Sequence, residues 1–94
     1  MADTLGARLV ALRGLAGIEA TREVDRLINP GTKSSYTWFL EKDLRGKRGI
    51  GRDLALKYAN LFGVTLDWLL DGRGAMPKRD DVVRAVARAK RRAA

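Results

Sequence analysis

The sequence predicts an all-α protein, a compact bundle of five short helices followed by a basic C-terminal helix. Three observations carry that expectation. Apolar residues recur three or four positions apart through almost the whole chain. No stretch of useful length alternates apolar and polar residues as a strand would. Glycines and prolines fall between the apolar stripes, where helices stop. At 94 residues the chain can bury one modest core.

The first helix follows from Leu5, Leu9, Leu12 and Ala16, which share one face; Gly14 and Gly17 weaken its end. Val24, Leu27 and Ile28 predict a short second helix starting near Glu19 to Thr21. Asn29-Pro30-Gly31 breaks it, since proline disfavours helix before itself and glycine tolerates positive φ. A third helix is expected over residues 33–44, about 18 Å long at 1.5 Å per residue. Thr32 or Ser34 would cap it, and Tyr36, Leu40 and Leu44 would form its inner face. A fourth helix carries Ile50, Leu54, Tyr58, Leu61 and Phe62 on one side and stops at Gly63. Thr65 caps a short fifth helix ending at Gly72. Residues 73–78 read as a linker. A last helix opens on Asp80 and Asp81, acids where the helix dipole favours them. The expected organisation is residues 1–74 as the folded domain and 75–94 as linker plus basic helix.

The chain has neither cysteine nor histidine, which excludes disulfides, thiolate or imidazole zinc sites and histidine acid–base chemistry. No cofactor, metal or small-molecule site is evident in the pattern, and no carboxylate pair stands out. Catalysis is therefore not expected. No apolar run reaches membrane-spanning length and no basic, apolar leader opens the chain, so a cytoplasmic protein without membrane contact is expected.

The formal charge is +8. Residues 1–43 hold six basic and six acidic side chains, whereas residues 44–94 hold thirteen and five. The excess in the second half favours a polyanionic partner, nucleic acid above all. The loop Arg45-Gly46-Lys47-Arg48-Gly49-Ile50-Gly51-Arg52 places four basic residues among three glycines and leads into a helix N-terminus. Free N–H groups and the dipole there favour phosphate. Arg45, Lys47, Arg48 and Arg52 are accordingly the main phosphate-binding candidates. Thr21 and Arg22, at the start of the second helix, would form a second clamp. The tail residues Arg84, Arg88, Lys90, Arg91 and Arg92 add a basic stripe that would either grip the DNA backbone or remain solvated. Opposite it stand Val82, Val83, Val86 and Ala89.

Two segments resemble a known family. Leu5-Gly6-Ala7-Arg8-Leu9-Val10-Ala11-Leu12-Arg13, and Arg45-Gly46-Lys47-Arg48-Gly49-Ile50 followed by Phe62-Gly63-Val64-Thr65-Leu66-Asp67-Trp68-Leu69-Leu70-Asp71-Gly72, resemble the Cro/CI-type helix-turn-helix domain of phage repressors and small bacterial regulators. The resemblance spans about residues 3–74. It implies a lambda-repressor-like bundle whose third helix enters the major groove of double-stranded DNA. Val24 and Asp25 stand where that family has a small residue, and Asn29-Pro30-Gly31-Thr32-Lys33 is longer than its usual turn.

With Tyr36, Leu40 and Leu44 inside, the outward residues of the third helix would be Lys33, Ser34, Thr37, Trp38, Glu41 and Lys42. These are the base-reading candidates. Trp38 has two readings: closing the core beside Phe39, or touching a thymine methyl, a sugar or a second subunit. A homodimer on an inverted repeat is expected, acting as a repressor, with Trp68 or the valines of the last helix at the dimer surface. The competing reading is a protein-interaction module, an antitoxin or adaptor, built on the same fold.

Overall fold

In a computed structural model, residues 4–43 and 49–93 are described. They form six α-helices and no strand: α1 Leu5–Ala16, α2 Thr21–Ile28, α3 Tyr36–Lys42, α4 Arg52–Phe62, α5 Leu66–Asp71 and α6 Arg79–Ala93. Local chemistry sets most of their ends. The Thr4 hydroxyl accepts from Ala7 N at 3.0 Å and starts α1; Thr65 does the same for α5, accepting from Trp68 N at 3.1 Å. The left-handed glycines Gly17, Gly63 and Gly72, with φ near +70°, end α1, α4 and α5.

Leu9 and Leu12 of α1, Val24 of α2, Leu40 of α3, Tyr58, Leu61 and Phe62 of α4, Trp68 and Leu69 of α5 and Val82, Val86 and Ala89 of α6 share one core. The last helix is thus no solvated appendage. Its stripe of Val82, Ala85, Val86 and Ala89 is buried, and α6 packs on α1, α4 and α2. Of the expected dimer residues, Trp68, Val82 and Val86 are spent on this internal core, leaving Val83 exposed. Arg84, Arg88, Lys90, Arg91 and Arg92 do face solvent. One of them, Lys90, reaches Glu23 of α2 at 3.4 Å.

Two close fits position α3. Gly6 of α1 lies directly against its backbone: a Cβ there would stand 2.0 Å from the Leu40 carbonyl oxygen. Arg13 of α1 grips Glu41 with both prongs of its guanidinium, Nε to Oε2 at 2.9 Å and Nη2 to Oε1 at 2.8 Å. The same guanidinium donates to the carbonyls of Ile18 and Glu19, tying the α1–α2 loop to α3. A third fit joins α1 to α5. Arg8, buried in α1, donates to the Leu69 and Leu70 carbonyls at 2.6 and 2.7 Å, where the C-terminal end of α5 carries negative partial charge. Among the described residues no helix is long and apolar enough to cross a membrane.

Candidate nucleic-acid interface

The stretch from α2 to α3 is the expected reading head, and its shape differs from expectation in two ways. α3 begins at Tyr36, not near Lys33, and its seven residues span about 10 Å. Pro30, Gly31 and the non-helical residues 32–35 take up the difference. Lys33 and Ser34 therefore precede the helix. Lys33 is exposed; Ser34 is half-buried, its N–H held by Thr32 Oγ1 at 3.0 Å.

The helix is also turned from its expected phase. Tyr36, expected inside, is 55% exposed, whereas Thr37, expected to reach bases, is 1% exposed. Thr37 is held inside by polar partners. Its N–H and hydroxyl donate to Asp25 Oδ1 at 3.2 and 2.7 Å, and its oxygen lies 2.8 Å from the Tyr58 hydroxyl. Thr37 has one hydroxyl proton and places it on Asp25, so Tyr58 is the donor in the last contact. Burial, aided by the negative charges of Asp25 and Glu41, pushes the Tyr58 pKa up to about 12. Asp25 Oδ2 is buried without a hydrogen-bond partner.

Glu41 is the second displaced candidate. Paired with Arg13, its side chain is 8% exposed and faces α1, so it cannot reach a base edge. The hydrogen bond to Glu41 in turn raises the Arg13 pKa above its ordinary value. Leu40 is buried as expected. The notable residues outside the candidate set are Arg13, Asp25 and Gly6; none looks like a helix-positioning residue until its partner on another element is known.

What remains on the outside is compact. Trp38 is 46% exposed; it stands edge-on to Phe39, with ring centroids 5.0 Å apart at 86°. Lys42 Nζ lies 5.7 Å over the Trp38 ring. Trp38 and Lys42 share a cleft with Val10, Thr21, Arg22 and Glu19. This brings two base-reading candidates beside both residues of the α2 clamp. Arg22 is exposed and Thr21 half-buried at the first turn of α2, where no side chain caps the helix. Arg26 is exposed one turn later. On the other flank, Tyr36 and Phe39 line a cavity of about 450 Å³ together with Lys57 and Asp53 of α4.

Arg52 is exposed at the first position of α4, whose N-cap, Gly51, offers no side chain. Arg45, Lys47 and Arg48, and the expected inner residue Leu44, lie outside the described residues. Among those described, no group of three or more acidic residues is placed to hold a metal ion. No family model, curated protein or solved structure matches the chain.

Proposed function

We propose that this chain is a sequence-specific double-stranded DNA-binding protein of the Cro/CI helix-turn-helix type, acting as a small transcriptional repressor. The observation that carries the reading is the placement of α3. Its inner residues Thr37, Leu40 and Glu41 are fastened to α2, α4 and α1, while Trp38 and Lys42 face outward beside Arg22. A rod about 10–12 Å across fits a major groove about 12 Å wide. Arg22 and Arg26 before it, and Arg52 after it, then supply phosphate contacts on either side. Base reading passes to Lys33, Ser34, Trp38 and Lys42.

The molecule measures 35 × 29 × 24 Å. A homodimer on an inverted repeat would need its two reading helices one DNA turn apart, about 34–36 Å. Repression would then be passive: the bound dimer covers a promoter and blocks polymerase.

The test is binding to duplexes selected from a random pool, followed over a range of salt. With six to ten phosphate contacts, affinity should drop by about 10³- to 10⁵-fold between 50 and 200 mM salt. Selected duplexes should outcompete random DNA by at least about 10³-fold. A protein adaptor or antitoxin would show neither behaviour, and their joint absence would overturn the proposal.

A further inference from the structure

The outward face of α3 is aromatic. At about 100° of rotation per residue, Thr37, Leu40 and Glu41 occupy one side of the helix. Tyr36, Trp38, Phe39 and Lys42 fill the rest. Three of these four are large aromatics, each between 45% and 55% exposed. Trp38 is also oriented: Phe39 braces it edge-on and Lys42 sits over its face.

A cation stands on each flank of the patch, in each case beside a carboxylate: Arg22 shares the Trp38 cleft with Glu19, and Lys57 lines the cavity beside Tyr36 and Phe39 with Asp53. A fitting partner must present apolar groups between lines of negative charge. A duplex does so in its major groove, where thymine C5-methyl groups stand between the phosphate rails.

The indole narrows the choice of base. Its Nε1–H is a donor and it has no acceptor. Thymine shows one acceptor, O4, next to the methyl group. Cytosine shows an amino donor, which meets nothing that accepts. Guanine shows two acceptors and no apolar group, a pattern suited to arginine. We infer that Trp38, braced by Phe39, reads thymine through its C5-methyl group, adding an apolar contact to whatever Lys33, Ser34 and Lys42 read by hydrogen bonds. The inference rests on the duplex-DNA reading above.

The test replaces thymine with deoxyuridine, one position at a time, in duplexes selected from a random-sequence library. Only a methyl group is removed. At the contacted positions affinity should fall about fourfold per methyl, the worth of one buried carbon. Trp38→Ala should bind thymine and uracil duplexes equally, while its melting temperature stays near that of the parent because the side chain is half exposed. The uracil series on the parent protein stands alone if the variant folds poorly. Specific binding that is indifferent to uracil, or an equal uracil penalty in Trp38→Ala, overturns the thymine assignment and leaves duplex reading intact. Tighter capture of single-stranded oligonucleotides than of duplexes also overturns it, assigning Trp38 to base stacking. Failure to select any duplex overturns both.

Discussion

Gly6 and Leu40 meet backbone to backbone: a single added carbon on Gly6 would lie 2.0 Å from the Leu40 carbonyl oxygen. No flexible side chain can swing away, so α1 and α3 must separate to admit it. Gly6→Ala should therefore cost about 1–3 kcal/mol or more, despite alanine's better helix propensity. Gly14, in the same helix, meets nothing within 4 Å. Gly14→Ala should stabilise by roughly 0.5–1 kcal/mol. Urea denaturation of the two variants reads the contrast directly. Equal effects would show that the close approach does not exist in solution.

The Arg13–Glu41 pair gives the second prediction. Because Glu41 is turned toward α1, Glu41→Gln should weaken folding by about 1.5–3 kcal/mol, the range for hydrogen bonds to charged groups. It should leave the sequence selected from random DNA unchanged. A base-reading glutamate would behave in the opposite way, altering the selected sequence at little cost in stability. Arg13→Ala should be worse than Glu41→Gln, because it also frees the Ile18 and Glu19 carbonyls.

These residues also show what could be read from the chain and what could not. Thr65, Gly63 and Gly72 announce themselves, because a cap depends only on neighbours within one turn. The phase of α3 does not. Tyr36 reads as apolar and Thr37 as polar, yet Thr37 is buried because Asp25 of α2 and Tyr58 of α4 complete its hydrogen bonds. Asp25 alone looks like a surface acid, and only the pair makes burial tolerable. Arg8 is a sharper case: its partners lie 61 and 62 residues away. The stripe Val82, Val86 and Ala89 was visible as a stripe, but an amphipathic pattern does not say what it will cover.

Truncation tests that destination. Removing residues 79–94 would uncover the apolar surfaces of α1 and α4 beneath Val82, Ala85, Val86 and Ala89. Each fully buried valine contributes about 1.5–3 kcal/mol. Against a total stability of about 5–15 kcal/mol for a domain, the truncated chain should be largely unfolded by circular dichroism. If it instead stays folded and merely loses salt-dependent DNA affinity, α6 serves as a DNA grip and its packing is secondary.

Arg22 and Arg52 bear on the proposed interface without bearing on the core. Both are exposed, so their removal should leave the melting temperature unchanged. Arg22→Ala and Arg52→Ala should each weaken binding to all duplexes alike and reduce the slope of log affinity against log salt by about one. An unchanged slope would remove the residue from the phosphate-contact set. A changed base preference would move it into the reading set.

Tyr58 predicts how stability depends on pH. Its hydroxyl is buried and donates to Thr37, with Asp25 just beyond. A phenolate there would lose its solvent and stand near the negative charges of Asp25 and Glu41, which together outweigh the opposing effect of the Thr37 contact, hence a pKa raised from 10.0 to about 12. The unfolded chain releases this proton at the lower pH, so the folded state binds more protons between the two values. The contribution of Tyr58 is thus complete below pH 10, declines as pH rises toward 12 and is gone above it. Tyr58→Phe should start less stable, having lost the hydrogen bond to Thr37, but lack this part of the alkaline decline. Urea melts of both proteins on either side of pH 10 will show the gap between them narrowing as pH rises. A constant gap would mean that the Tyr58 hydroxyl reaches water in solution, and with it the inner side of α3.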